Sequence, residues 1–276
     1  MHMLEEKITT NGIRLNVASA GRGPVVLLLH GFPDTHATWR KQVPALVAAG
    51  YRVIAPDLRG YGRSDVPEKV SDYTLDVLRA DIIGLLDAIG IERVYQVGHD
   101  WGAAIGWQLC IHAPERLERF AALSVGHPTA YRRAGIGQAL KVWYAAVFMV
   151  PGLSEKILMA WNLLVLRGQA VDDAQLAQWR THFSDKRRVT AALNYYRANA
   201  TGLLSADRGL VRTPVLGVWS EADPALTQAQ MRDSARYVKG SFRYERISGQ
   251  VGHWLHLREA DRINALLLEF GGGVPA

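Results

Sequence analysis

Short apolar runs alternate with longer segments of helical periodicity along most of this chain. The run PVVLLLHGF at 24–32 is nearly continuous in apolar residues and ends in Gly and Pro, which is typical of a strand buried on both faces of a sheet. The predicted strands are 24–32, 51–57, 93–100, 119–128, 213–223 and 241–250, and the first two are predicted to be buried. A weaker alternation around Asn11-Gly12 predicts a hairpin. Segments such as 74–90, with apolar residues at helical spacing and a terminal glycine, are predicted helices.

The alternation stops after the fourth of these strands. Residues 129–207 have helical periodicity and no convincing strand, and the strand pattern resumes after them. Alternating strands and helices predict an α/β fold with a mostly parallel central sheet and helices on both faces. We therefore predict a core made of residues 1–128 and 208–276, with a helical lid inserted at 129–207.

Composition narrows the class of protein. The 276 residues are 49% hydrophobic and 21% charged, an ordinary globular balance, and the net charge is +6. The basic clusters, Arg132-Arg133 and 186–188, are too short for a nucleic-acid stripe, so we expect no nucleic-acid partner. The single cysteine, Cys110, excludes an internal disulfide, and no linked Cys and His residues predict a metal site. Without a signal-peptide pattern or a membrane-spanning run, we expect a cytoplasmic protein with no membrane partner.

The stretch GHDWGA, residues 98–103, follows a predicted strand and opens a predicted helix. A sharp turn there would lift the Asp100 side chain above the carboxyl edge of the sheet, and the flanking glycines would allow close backbone approach. The start of the helix favours an ionised Asp100, and the Trp101 backbone N–H is placed to stabilise an oxyanion. Aspartate is also a good helix N-cap. The turn alone therefore leaves a purely structural role equally open.

Three further residues follow other predicted strands. Phe32, in HGFP, would supply a second backbone N–H beside Asp100. Asp223 ends the strand and loop VWSEAD, and His253 lies in VGHW before the last helix. A loop Asp or His is individually a weak signal. The order nucleophile, acid, histidine, each at a strand end, is specific.

These features resemble the epoxide hydrolase family of α/β-hydrolases, which shares its aspartate nucleophile with haloalkane and fluoroacetate dehalogenases. The resemblance covers nearly the whole chain. It is carried by HGFP at 30–33, DLRGYGRSD at 57–65, GHDWGA at 98–103, SEAD ending at Asp223, and GHW at 252–254. It implies a cofactor-free monomer or homodimer that consumes a small-molecule epoxide and water. It also implies Asp100 as nucleophile, His253 as base, Asp223 as its acid partner, and Phe32 and Trp101 as oxyanion donors.

The lid carries a second part of the resemblance. WYAAVFMVPGLSE (143–155) and LNYYRAN (193–199) resemble the two lid-tyrosine segments of the family. They imply that Tyr144 and Tyr196, rather than Tyr195, activate the epoxide oxygen, although a helical tyrosine is more commonly a packing residue. We expect an apolar pocket between sheet edge and lid. The predicted lining residues are Trp101, Phe32, Trp143, Tyr195, Phe148 and Met149.

Two alternative functions stay open. Haloalkane dehalogenases usually have Asn or Glu after HG, where this chain has Phe32, and fluoroacetate dehalogenases have Arg where it has Trp101. A haloalkane or haloacid dehalogenase would therefore need an atypical halide site. A catalytically inactive ligand-binding protein on the same scaffold is the third hypothesis. Diol formation, halide release, or binding without turnover would separate the three.

Overall fold

A computed structural model describes residues 3–160, 169–200 and 209–272. Its strands form one eight-stranded sheet in the order β1-β2-β4-β3-β5-β6-β7-β8. In chain order they are β1 (Leu4–Thr10), β2 (Ile13–Ala20), β3 (Val25–Leu29), β4 (Arg52–Pro56), β5 (Val94–His99), β6 (Leu117–Leu123), β7 (Val215–Ser220) and β8 (Phe242–Ile247). The β1–β2 and β2–β4 pairs are antiparallel, and every pair from β4–β3 to β7–β8 is parallel. The predicted mostly parallel sheet is confirmed.

The continuous apolar runs are explained by burial on both faces of the sheet. Along β3, Leu27 and Leu29 join one hydrophobic cluster, whereas Val26 and Leu28 join another. Because successive side chains of a strand point to opposite faces, both faces of this strand are covered. The sheet therefore holds the ends of its strands in fixed positions.

Helices connect the parallel strands and form the inserted segment. In chain order they are α1 (Gln42–Ala48), α2 (Leu75–Ala88), α3 (Trp101–His112), α4 (Pro128–Arg133), α5 (Ile136–Lys141), α6 (Tyr144–Phe148), α7 (Leu153–Ala160), α8 (Asp173–Ser184), α9 (Lys186–Asn199), α10 (Gln228–Arg232), α11 (Leu255–Arg258) and α12 (Ala260–Gly271). Within the described ranges, none of the helices combines the length and the hydropathy that a membrane crossing requires.

The described residues between β6 and β7 form a helical cap that packs on the core. Among its described residues the regular elements are the helices α4 to α9. Phe148 and Trp179 of the cap pack in one cluster with Trp254 of the core, and this cluster joins the two layers. The limits of the insertion at 129 and 207 stay a prediction, since residues 201–208 lie outside the described part of the chain.

Candidate active site

Asp100 occupies a sharp turn between β5 and α3. Its backbone has φ 52° and ψ −120°, a conformation that non-glycine residues rarely adopt. A Cβ atom at Gly98 would collide with the backbone of Gly102, and one at Gly102 would collide with the Leu29 carbonyl. The two glycines therefore allow the close approach that this turn needs. The Asp100 side chain makes no capping hydrogen bond to its own helix, so it is not a simple N-cap.

The carboxylate of Asp100 faces the loop that follows β3. The backbone N–H of Phe32 donates to Oδ1 of Asp100 at 2.8 Å, and a Cβ atom at Gly31 would collide with the same carboxylate. Burial raises the pKa of Asp100, but the nearby charge of His253 and the hydrogen bond from the Phe32 N–H outweigh burial, and the pKa is lowered overall. The group is thus ionised at neutral pH. The structure shows no hydrogen bond from the Trp101 N–H to this carboxylate in the described residues.

His253 lies between two carboxylates. Its Nδ1 atom is 2.9 Å from Oδ2 of Asp223, and its Nε2 atom is 3.7 Å from Oδ2 of Asp100. The other oxygen of Asp223 accepts from the backbone N–H groups of Ala225 and Leu226 at 2.8 and 3.0 Å. Burial alone would lower the pKa of His253, yet the charges of Asp223 and Asp100 and the hydrogen bond to Asp223 raise it to about 10. The imidazole is therefore cationic at neutral pH while Asp100 is charged.

A cavity of about 600 Å³ lies between the sheet edge and the cap. Asp100, Trp101, Tyr144 and Tyr196 all line it. The ring of Tyr196 contacts the ring of Trp101 edge to face, with centroids 5.1 Å apart, and the two tyrosine rings are 6.5 Å apart. Burial and the charge of Asp100 raise the pKa of Tyr144, and burial and neighbouring charges raise the pKa of Tyr196. Both phenols are therefore protonated and able to donate.

Only part of the predicted lining lies in the wall of this cavity. Trp101 and Met149 lie there, whereas Phe32, Trp143, Tyr195 and Phe148 do not. Trp143 points away from the site and is 69% exposed. Tyr195 is fully buried, and its hydroxyl donates to the Arg59 carbonyl at 2.9 Å. The rings of Phe32 and Phe148 pack edge to face against the ring of Tyr196. The structure thus corrects four of the six predicted lining positions.

Sequence reasoning did not single out Tyr131 and Gln138. Tyr131 is a third phenol in the cavity wall, and burial raises its pKa to about 12. Gln138, on α5 of the cap, donates to the Ala225 carbonyl at 2.8 Å and accepts from the Thr227 backbone N–H at 2.9 Å. It thereby fixes the loop that carries Asp223. The signal available in the sequence was position alone, since Tyr131 follows the carboxyl end of β6.

Sequence reasoning also missed Asp34, which contacts the residue next to His253. Its buried carboxylate accepts from the indole N–H groups of Trp179 and Trp254, both at 2.7 Å, and from Gln175 at 3.2 Å. Trp254 directly follows His253 in the chain, and Trp179 belongs to the cap. Asp34 therefore links the loop that carries His253 to the cap. A nearby histidine, His256, is buried beside Thr38, with its Nε2 atom 2.8 Å from the hydroxyl oxygen of that residue.

Arg197 joins the two cap helices that carry the lid tyrosines. Its guanidinium donates to the Phe148 carbonyl at 2.9 Å, to Glu155 at 2.9 Å and to the Ser154 hydroxyl at 2.8 Å. Arg197 follows Tyr196 on α9, and Phe148 ends the short helix α6, which begins at Tyr144. The arginine of the LNYYRAN motif thus fixes the spacing of the two phenols.

Comparison with known proteins places the chain in a family. The model of the α/β-hydrolase fold family matches residues 24–260. The chain belongs to this family. Epoxide hydrolase A of Mycobacterium tuberculosis is 34% identical, with 98% of each chain covered. A Bacillus subtilis protein named as an AB hydrolase superfamily member is also 34% identical, over 95% of this chain and 96% of its own length.

Solved structures give the same result. The crystal structure of epoxide hydrolase A from Mycobacterium thermoresistibile superposes with a TM-score of 0.87 at 30% identity, covering 99% of each chain. An epoxide hydrolase from Vigna radiata superposes with a TM-score of 0.85 at 31% identity, covering 98% of each chain. The family assignment, the α/β-hydrolase fold and the epoxide hydrolase resemblance are thereby confirmed.

Proposed function

We propose that this protein hydrolyses apolar epoxides to vicinal diols through an ester on Asp100. The observation that carries the proposal is that an ionised aspartate and two protonated phenols line one cavity. A carboxylate needs no base before it attacks saturated carbon, and phenols can protonate a poor alkoxide leaving group. The names of the relatives support the same substrate class.

In the first step, an oxygen of Asp100 forms a bond to an epoxide carbon while the ring C–O bond breaks. The electron pair goes to the ring oxygen, which takes a proton from Tyr144 or Tyr196. The products are an ester of Asp100 and a tyrosinate. The ester carries no charge, so Asp100 no longer stabilises the cationic form of His253. The pKa of the imidazole therefore falls. The histidine then gives up its proton to solvent, and the tyrosinate is reprotonated.

In the second step, the neutral His253 removes a proton from a water molecule that attacks Cγ of Asp100. The negative charge develops on the oxygen that the Phe32 N–H already contacts, which stabilises it. The Cγ–O bond to the alkyl group then breaks, and the departing diol oxygen takes the proton from His253. Asp100 retains the oxygen of the water, and its acidic proton passes to His253, which restores the starting charges of both groups.

A dehalogenase would need donors that hold the departing halide beside Asp100. In the described part of the cavity, the ring of Trp101 contacts the ring of Tyr196 edge to face, with centroids 5.1 Å apart. The indole is therefore packed against the phenol that the epoxide mechanism uses. No observation favours dehalogenation over ring opening.

The test is diol formation from racemic styrene oxide, followed by chiral chromatography, with halide release from a bromoalkane measured in parallel. We expect diol from the wild type and loss of that activity in Asp100→Asn. Asp76→Asn, at a solvent-exposed carboxylate on α2, serves as the matched control and should retain full activity. Halide release without diol formation would overturn the proposal in favour of a dehalogenase, and binding without turnover would favour an inactive binding protein.

A further inference from the structure

The cap segment from Ile136 to Leu153 is apolar on its outer surface as well as on its inner one. The inner side lines the cavity through Ala139, Val142 and Met149. The outer side exposes Ile136, Leu140 and Trp143, which are 79%, 68% and 69% exposed, followed by Val150 and Leu153. Of the eight exposed large hydrophobic side chains in the described ranges, these five fall in this one segment. We call this set the outer cap face.

The surroundings of the outer cap face are cationic. Residues 119–154 contain no Asp or Glu, while Arg132 and Arg133 lie within the same stretch. Arg132 and Arg133 are exposed. Exposed apolar patches of this kind mark interaction surfaces. Short helices that combine Trp and Leu on one side with Lys and Arg around them are typical of segments that lie in a membrane interface.

Charge decides between two occupants of this face. A second copy of the chain, related by a twofold axis, would bring Arg132 and Arg133 close to the same cations of its partner, which is unfavourable. A bilayer containing anionic lipids offers apolar depth and complementary charge together. We propose that the outer cap face binds peripherally to the surface of an anionic lipid bilayer. This contact needs no spanning helix, so it revises the expectation of no membrane partner that rested on the absence of such a run.

The position of the cavity suggests what membrane contact at this face would contribute to function. Ala139 and Ala146 line the cavity and are themselves exposed, so the cavity opens beside the outer cap face. An apolar epoxide concentrates in lipid, and a protein bound at this face would present its cavity opening close to that source. This consequence rests on the proposed function, whereas the binding itself does not.

The experiment is flotation of the purified protein with lipid vesicles. Flotation measures membrane binding independently of enzymatic activity. Vesicles of phosphatidylcholine alone are compared with vesicles of phosphatidylcholine and phosphatidylglycerol, at low and high salt. We expect binding to the anionic vesicles and weaker binding at high salt, because salt screens the charge attraction. The double variant Ile136→Ser/Leu140→Ser should bind roughly tenfold more weakly or worse, since it loses two apolar contacts.

Leu4→Ser provides a matched control. Leu4 is 67% exposed on β1, nearly the same fraction as Leu140, but it lies outside the cap. This variant should bind like the wild type, and thermal unfolding should show that all variants fold. Absence of wild-type binding to anionic vesicles, or equal binding of the double variant, would overturn the proposal. A dimer in analytical ultracentrifugation that the double variant abolishes would assign the face to a second copy instead.

Discussion

The Nε2 atom of His253 lies 3.7 Å from Oδ2 of Asp100, while the opposite ring nitrogen is held by Asp223. This distance is longer than a normal hydrogen bond, yet the two charges are buried together. In the proposed mechanism, the histidine therefore stabilises the ionised nucleophile before the reaction and lies beside the carbon that water attacks afterwards. Nothing in the attack of Asp100 on an epoxide requires a proton to be taken by His253.

His253→Gln should therefore separate the two steps. We expect Asp100 to react with styrene oxide and the ester to accumulate, because the base for its hydrolysis is missing. Turnover should fall by about 10²- to 10⁴-fold, the usual contribution of a general base. Intact-protein mass spectrometry after an acid quench should show the mass of one epoxide added. Asp223→Asn should also lower turnover and let the ester accumulate, but to a smaller extent. Absence of the adduct in both variants, with Asp100 intact, would contradict the assignment.

The raised pKa of His253 predicts how stability depends on pH. Its folded value of about 10 exceeds its ordinary value of 6.5, so the folded protein holds this proton more tightly than the unfolded chain. The contribution is complete below pH 6.5 and is lost as pH rises to about 10. Over that window the free energy of unfolding should fall by about 1.4 kcal/mol per pH unit from this group. Urea unfolding of the wild type and His253→Gln at several pH values isolates the contribution. Parallel pH dependences in the two proteins would show that His253 is not the cause.

The lid tyrosines should act on the first step. Tyr144→Phe and Tyr196→Phe are each expected to slow ester formation by about 10²-fold, as expected when one donor to a developing oxyanion is removed. Hydrolysis of the ester should change little. Single-turnover kinetics with rapid quenching separates the two rates.

Tyr195→Phe is the matched control for this series. Its hydroxyl donates to the Arg59 carbonyl, away from the cavity, so the variant should lose about 1 kcal/mol of stability and keep its rate of ester formation. If ester formation were slow in Tyr195→Phe and normal in Tyr196→Phe, Tyr195 rather than Tyr196 would be the tyrosine that acts on the epoxide. Tyr131→Phe tests whether the third phenol of the cavity shares the role.

The sequence was most informative where the strands end. Parallel strands bring their carboxyl ends to one edge, so the strand pattern was sufficient to place Phe32, Asp100, Asp223 and His253 near one another. It was least informative in the cap. Trp143 and Met149 are six residues apart in one apolar stretch, but one faces solvent and the other faces the cavity. Because this stretch is broken into short helices and is apolar on both sides, no periodicity separates its inner face from its outer face.

Hydrogen bonds between distant segments were equally invisible. Gln138 contacts the loop that carries Asp223 from nearly ninety positions away, and Asp34 accepts from Trp179 and Trp254 across a still longer separation. A polar residue with such a role has no local pattern, because its partners are chosen by the packing of the cap on the core. The tertiary structure was needed to find these residues.

The last prediction concerns the buried ion pair that holds the two tyrosine helices together. The side chains of Arg197 and Glu155 are only 8% and 4% exposed. Arg197→Met should leave Glu155 charged and unpaired in the cap, and the loss of one partner of a buried pair costs about 3–5 kcal/mol. Ester formation should also slow, since the contact from Arg197 to the Phe148 carbonyl spaces Tyr144 from Tyr196. Urea unfolding and single-turnover kinetics measure the two effects.

A second variant distinguishes spacing from stability. Arg197→Met/Glu155→Met removes both charges, so most of the lost stability should return. Its ester formation should stay slow, because the contact to Phe148 is still missing. Arg187→Met, at a side chain that is 78% exposed, should change neither quantity. If the double variant recovered full ester formation, Arg197 would act only through the stability of the cap, and the tyrosines would be spaced by packing alone.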